Sequence, residues 1–343
     1  MCDTKEKTMR IAVLTSGGDA PGMNAAIRAV VRTARVNGIE VFGVRRGYAG
    51  LIAGDLIPMD LRTVSDIIHR GGTKLYTARS KEFEEDNGMR AALKTCIDYQ
   101  IDGLVVIGGD GSFRGALDFS RLKEKNGEPC KGLPLCIGIP GTIDNDIGCT
   151  DYTIGYDTSL NTIMDMVDRV RDTTESHDRC CVIEVMGRHA GFLALNAGIA
   201  VGATTILVPE FKYDIQHDVI DRMRRTQNTG KEHFIIMVAE GVAKDIEGGV
   251  EALARKIEAE TNVESRAVVL GHVQRGGAPT CKDRVVASIM GNYAVKKLLM
   301  KGIGNRVVCM KNEKVFDLDI EEALKMTKSL DRELYDISYE ISI

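Results

Sequence analysis

Leu135-Cys136-Ile137-Gly138-Ile139-Pro140-Gly141-Thr142-Ile143-Asp144-Asn145-Asp146 is an apolar run that breaks into a turn carrying two acids. The first five residues read as a buried strand. The turn then places a hydroxyl and two carboxylates at that strand's end, where open α/β sheets keep their ligand sites. Asp144 is a candidate base, and Asp146 could orient it or sit near a metal. The same residues would also serve an Asp-rich turn whose side chains satisfy the local backbone. The rest of the chain decides between these readings.

Outward from this stretch, short β-branched runs alternate with longer amphipathic ones. Strands are expected at Ile11–Leu14, Glu40–Val44, Gly103–Ile107, Val182–Val185, Thr205–Val208, Phe234–Val238, Val268–Leu270 and, last, Arg306–Met310. Helices are expected at Asn24–Val36, Met89–Tyr99, Ser112–Lys123, Ser159–Arg171, Val250–Glu260 and Asp283–Leu299, with another between Val185 and Thr205. This rhythm predicts an α/β fold of mostly parallel sheets covered by helices on both faces. Lys123–Gly132 reads as a polar surface loop. No linker or low-complexity tract separates domains, so two intertwined lobes fit better than beads on a string.

With 343 residues the chain can bury two cores. No apolar run approaches a membrane span. Met1–Arg10 is charged and lacks the apolar stretch of a secretion signal. Nine cysteines, scattered without a Cys-x-x-Cys pair, read as reduced thiols of a cytoplasmic protein, several of them packed in the core. The net charge of −4 leaves no basic face for nucleic acid. Anionic ligands would have to be drawn by local arginines and helix N-termini.

Three groups of residues carry chemistry. The first strand runs into Ser16-Gly17-Gly18-Asp19-Ala20-Pro21-Gly22-Met23-Asn24 and then a helix, so backbone amides can approach an anion. The run matches neither the Walker loop nor Gly-x-Gly-x-x-Gly. A second strand ends in Gly108-Gly109-Asp110-Gly111-Ser112, again before a helix. One carboxylate amid bare amides suits a phosphate chain carrying Mg²⁺; Asp110 would equally suit a helix N-cap. The third group is cationic. Met186-Gly187-Arg188 follows a strand, so Arg188 should emerge at the same rim as Asp144, and Gly271-His272-Val273-Gln274-Arg275-Gly276-Gly277 forms another turn. Guanidinium forks match phosphate oxygens. Arg179 and Arg266 each precede a strand, which is the wrong end for their own subunit's site.

Taken together, Thr15–Asn24, Gly108–Ser112, Pro140–Asp146, Met186–Arg188 and Gly271–Gly277 strongly resemble the ATP-dependent 6-phosphofructokinases of the bacterial type, over nearly the whole chain. The resemblance implies two doubly wound, Rossmann-like lobes with the active site in the cleft. Residues 1–155 plus 274–324 would bind nucleotide, and 156–273 plus 325–343 the sugar phosphate. It implies that Asp144 takes the proton of the 1-hydroxyl of fructose 6-phosphate, with Asp146 as its partner. Thr142 and Arg188 would stabilise the phosphoryl group in transfer. Gly18, Arg79, Ser80, Gly109, Asp110, Gly111 and Ser112 would hold ATP, with Asp110 toward Mg²⁺. Thr142, Ile143, Asp144, Met186, Gly187, Arg188, Glu240, His272, Val273, Gln274 and Arg275 would line the sugar site. Arg179 and Arg266 would reach the 6-phosphate from a neighbouring subunit, in an assembly that the family forms as a homotetramer.

The resemblance also bears on donor and regulation. Pyrophosphate-dependent relatives carry an Asp at the position of Gly111 and a Lys at that of Gly141, so the glycines imply ATP. Arg28, Arg32, Arg171 and Lys231 match a site for ADP or phosphoenolpyruvate as effector. There the chain departs from the pattern: Leu61 and Thr229 replace cations, and Thr204 replaces an acid, which implies weakened or altered regulation. Glu84 stands where some relatives have a nucleotide-side arginine. A pyrophosphate-dependent enzyme, a kinase of another class sharing the Gly-Gly-Asp loop, and a non-catalytic nucleotide-binding regulator are the competing readings.

Overall fold

The computed structural model describes residues 8–342. The charged N-terminal reading therefore lies, for residues 1–7, outside the described residues. In chain order the strands are β1 (Arg10–Thr15), β2 (Glu40–Val44), β3 (Leu56–Met59), β4 (Gly103–Gly108), β5 (Leu135–Pro140) and β6 (Cys180–Val185). There follow β7 (Thr205–Leu207), β8 (Phe234–Ala239), β9 (Ser265–Val269), β10 (Arg306–Lys311) and β11 (Lys314–Asp319). They form a seven-stranded sheet, ordered β11-β10-β5-β4-β1-β2-β3, and a four-stranded sheet, ordered β7-β8-β6-β9.

The first compact unit holds the larger sheet and comprises the chain up to Thr142, Ile147–Gly155 and Gly277–Thr327. Its five inner strands run parallel, and only β3 and β11 pair antiparallel at the edges. All of β4 is buried, as a strand covered on both faces must be. Leu14, Leu104, Val106, Phe113, Phe119, Cys136 and Val307 meet in the core on one side. Strand order reverses between β1 and β4. Both glycine-rich turns leave the C-terminal ends of those two strands, the place where such sheets bind ligands.

The second unit comprises Ile143–Asp146, Tyr156–Gly276 and Lys328–Ile343. Its four strands are all parallel. Val182, Leu207, Phe234, Ile236, Val238 and Ile257 form its core. Order reverses here between β6 and β9, and the turns that follow them carry Arg188 and Arg275.

Several particulars differ from the sequence reading. Ile143–Asp146 and 274–276 pack with the second unit rather than the first, and 325–327 with the first. The last strand is β11, not β10; its half-exposed side chains gave no apolar alternation. The edge strand β3 was hidden by Pro58, a residue that sheets confine to edges. Strand β9 begins earlier than expected, so Arg266 lies within it. The helix expected to run to Leu299 is α-helical over Cys281–Tyr293 and then loosens into a wider turn over Ala294–Leu298. Among the described residues every cysteine is a free thiol, and all except Cys281 are buried.

Candidate active site

At the rim of the first unit the two glycine-rich turns touch. Ser16 N–H donates to Ile107 O at 2.9 Å. A Cβ on Gly108 would lie 2.5 Å from both Ser16 O and Ser112 Oγ, so no other residue fits there without moving backbone. Thr77 Oγ1 donates to Gly17 O at 2.8 Å, and Thr15 Oγ1 donates to Tyr76 O at 2.8 Å. These bonds strap the 70–80 loop, with exposed Arg79 and half-buried Ser80, to the first turn. Asn24 completes the strap, donating to Arg70 O and Gly71 O and accepting from Lys74 N–H.

Asp110 is not the N-cap. Gly109 holds that position, and Asp110 is the first residue of the helix Asp110–Ser120. Its carboxylate is exposed at the positive end of the helix dipole. A Cβ on Gly109 or Gly111 would meet nothing within 4 Å, so the space flanking the acid is open. Among the described residues no three His, Cys, Asp or Glu side chains converge as metal ligands. A single exposed carboxylate fits Mg²⁺ carried in on phosphates, because that ion keeps waters and substrate oxygens around one or two protein carboxylates. Tyr48 was missed by sequence reasoning. Its hydroxyl donates to Ser112 O at 2.6 Å while its ring stacks on Phe83 at 3.9 Å. It lies in a short helix with no motif to mark it.

At the rim of the second unit the groups are charged. Asp144 is 8% exposed. Burial first, then the charge of Asp146, push its carboxyl up to about 6; Arg275 and Arg188 pull it down, and Glu240 adds to the rise. Asp146 is exposed. Asn145 and Arg188 both adopt left-handed backbone, φ 52° and 59°. Asn tolerates that region, whereas Arg enters it at a cost. Ahead of Arg188, Gly187 has φ 138°, and a Cβ there would lie 2.4 Å from Ala190 O.

Glu240 bridges the rim. It accepts from Arg188 N–H at 3.0 Å and from Lys244 Nζ at 2.6 Å. Burial raises its pKa, but those two bonds and the charges of Lys244 and Arg275 outweigh burial, and the net shift is downward. Lys244 was not singled out, although its place four residues beyond Glu240 on one helix could have signalled the pair. Gln274 is fully buried; its Oε1 accepts from Met186 N–H at 3.0 Å and its Nε2 donates to Gly271 O at 3.0 Å. It brackets the two turns of the rim. The side chain of Ile143 is also fully buried, so this residue can offer a ligand only its backbone. His272 and Val273 are exposed on the same turn as Arg275.

Arg179 and Arg266 stand at the opposite rim of this sheet, where β6 and β9 begin. Both pair with Glu264, Arg179 with an Nε–Oε2 separation of 2.9 Å. Of the remaining cations, Arg28 and Arg32 lie on the helix Met23–Val36 of the first unit; burial and Arg32 lower the Arg28 pKa. In the second unit Arg171 donates to Val201 O, and Lys231 Nζ donates to Thr204 Oγ1 at 3.3 Å. Burial and then Arg171 and Arg222 lower the Lys231 pKa.

Comparison with known proteins places these loops in one lineage. The phosphofructokinase family pattern matches residues 10–298. An ATP-dependent 6-phosphofructokinase of Bacillus subtilis strain 168 is 53% identical over 97% of this chain and 99% of its own. One from Bacillus mycoides is 54% identical over the same shares. Among solved structures, phosphofructokinase from Saccharomyces cerevisiae superposes with a TM-score of 0.86 at 36% identity, over 98% of this chain and 48% of the yeast one, so the chain spans about half of it. A pyrophosphate-dependent phosphofructokinase from Marinobacter aquaeolei shares the fold, with a TM-score of 0.82 at 22% identity over 95% of this chain and 86% of its own. With the glycine-rich turns on one sheet and the charged rim on the other, this chain belongs to the phosphofructokinase family.

Proposed function

We propose that the protein transfers the γ-phosphoryl group of Mg·ATP to the 1-hydroxyl of fructose 6-phosphate, giving fructose 1,6-bisphosphate and ADP, as a cytoplasmic enzyme of glycolysis. The observation that carries the reading is Asp144, a carboxylate only 8% exposed, on a turn with Asp146; burial first and Asp146 next raise its pKa to about 6, while the charges of Arg275 and Arg188 pull it down. A base poised close to working pH both accepts a proton readily and is mostly ionised. In this reading Asp144 takes the hydroxyl proton, and Glu240 and Arg275 hold the sugar. Thr142 and Arg188 stabilise charge on the phosphoryl group. Little covalent work falls to the protein in such a transfer; positioning and electrostatics dominate. Bound Mg²⁺ would neutralise phosphate charge, with Asp110 as its protein ligand.

ATP is favoured over pyrophosphate by two glycines and by the names of the near relatives. Gly111 leaves open space beside Asp110. At Gly141 a Cβ would meet Ile107 Cγ2 at 3.0 Å and Met23 Cε at 3.2 Å, so a lysine would have to push both aside. A coupled assay with fructose 6-phosphate and either donor tests the reading. Turnover with ATP at least ~10²-fold faster than with pyrophosphate is expected, a discrimination of ~3 kcal/mol. Equal rates with both donors would overturn it.

A homo-oligomer, tetrameric as in the family, is part of the same proposal. Arg179 and Arg266 stand where the parallel strands β6 and β9 begin, and the turns beyond the other ends of those strands carry Arg188 and Arg275. They are turned away from their own base and suit the 6-phosphate site of a neighbour. Arg28, Arg32, Arg171 and Lys231 are assigned to an effector anion, ADP or phosphoenolpyruvate. Lys231 is half-buried there, and burial first, then the charges of Arg171 and Arg222, lower its pKa.

A further inference from the structure

Residues 152–155, in the first unit, run alongside Pro140–Thr142, the residues that lead into the acid-bearing turn. Ile154 N–H donates to Pro140 O at 3.0 Å, Gly141 pairs with Ile154 in a parallel bridge, and Thr153 Oγ1 donates to Thr142 O at 2.6 Å. What holds this segment is Asp283, a carboxylate with no exposed surface, in the first turn of the helix Cys281–Tyr293. Its Oδ1 accepts from Tyr152 O–H at 2.6 Å and from Gly155 N–H at 2.7 Å, one anchor on each side of Thr153. The other face of the segment abuts the first glycine-rich turn: a Cβ on Gly155 would lie 2.6 Å from Ala20 Cβ, and one on Gly22 would lie 2.7 Å from Ile154 Cγ2. Tyr152 is further fixed by Lys282 Nζ, 4.8 Å from its ring centroid.

We propose that Asp283, through Tyr152 and Thr153, is a positioning device that sets the backbone of Thr142. Burying a carboxylate is costly unless it is fully hydrogen-bonded, so the fold spends such a group only where two short bonds fix something. What these bonds fix is the residue assigned to the phosphoryl group in flight. The inference rests on the proposed reaction, and it adds a set of residues assigned to neither nucleotide nor sugar. Because the bonds act on placement, their loss should reach the rate of transfer and spare ground-state binding; small misplacements of reacting groups cost up to ~10²-fold.

The test is steady-state kinetics of the full-length enzyme with Thr153→Val, Thr153→Ser and Tyr152→Phe, each checked for folding by thermal melt. Thr153→Val should lower kcat ~10-fold with both KM values within ~2-fold, and Thr153→Ser, which keeps the hydroxyl, should restore most of it. Tyr152→Phe should show the same split at ~3-fold. A role in stability alone would lower the melting temperature and leave kcat in place. Should Thr153→Val not fold, Tyr152→Phe carries the test. Folded variants with kcat within ~2-fold of the parent, or with kcat and KM altered together, overturn the proposal. If the parent enzyme itself makes no fructose 1,6-bisphosphate, the underlying reading falls and this inference falls with it.

Discussion

The rim of the seven-stranded sheet and the rim of the four-stranded sheet are built from different materials. The first is backbone: glycines bring two turns close enough that a Cβ on Gly108 has nowhere to go, and its side chains are used mostly as straps. The second is side-chain charge: Arg275 and Arg188 favour the ionised forms of Asp144 and Glu240, against the burial of both. Bare amides suit a phosphate chain that only has to be held. Interacting charges suit a hydroxyl that has to lose a proton. The contrast teaches that one fold can bind by geometry on one sheet and tune acidity on the other.

The largest test of this contrast is Asp144→Asn. It should cost ~10²–10⁴ in kcat while leaving nucleotide affinity within ~2-fold. The same change should stabilise the protein. An acid whose folded pKa is raised from ~4 to about 6 penalises the fold fully above pH 6, partly between these values and not at all below pH ~4. Urea unfolding at pH 7 should therefore show the variant more stable by about 2–3 kcal/mol, with the gain gone at pH 3.5. A variant no more stable than the parent at pH 7 would mean that burial does not strain this carboxylate.

Gly108→Ala is the matching change on the backbone rim. The methyl group would meet the immovable oxygen of Ser16, so ATP affinity should fall ~10–100-fold by calorimetry with about 1–3 kcal/mol of stability lost. The acidic limb of the pH profile should stay where it was; a shifted limb would break the separation of roles.

Gln274→Leu should act on the charged rim without touching charge. Losing the bracket between Met186 and Gly271 is expected to raise the KM for fructose 6-phosphate ~5–10-fold and leave that for ATP unchanged. An effect on both substrates would show that the bracket serves the whole fold.

The smallest expected effect is a displacement of one titration. With kcat/KM measured against pH, the parent should gain activity through pH about 6 as Asp144 ionises. Arg275→Met removes a charge that favours the ionised form, so its limb should move upward. A limb that moves down would reverse the assigned influence of Arg275.

Much of this was legible because each strand that carries chemistry is a continuous apolar run ending in glycine or acid, as at Leu135–Asp146 and Gly103–Ser112. The charged candidates came through the same logic: a residue just past a strand belongs to the ligand rim, and one at its start does not. What escaped was held by long-range side-chain bonds that no local pattern encodes. Tyr48 reaches Ser112, and Asp283 reaches Tyr152 across 131 positions. Domain membership of Ile143–Asp146 escaped for a related reason. The turn is continuous in sequence with the first unit's strand, yet its packing belongs to the second. Edge strands β3 and β11 escaped because partial exposure and a proline erase the alternation that marks inner strands.

Glu264 keeps two cations occupied at once, and both Arg179 and Arg266 depress its pKa, Arg179 the more strongly. In a solitary subunit those guanidinium groups are already spoken for. In the proposed oligomer, docking against a neighbour's bound sugar phosphate would be an exchange of anions rather than the capture of idle positive charge. Such an exchange has a modest net driving force, so subunit association and occupancy by fructose 6-phosphate should reinforce each other, and extensive dilution of the substrate-free protein should cost it activity that added sugar phosphate gives back.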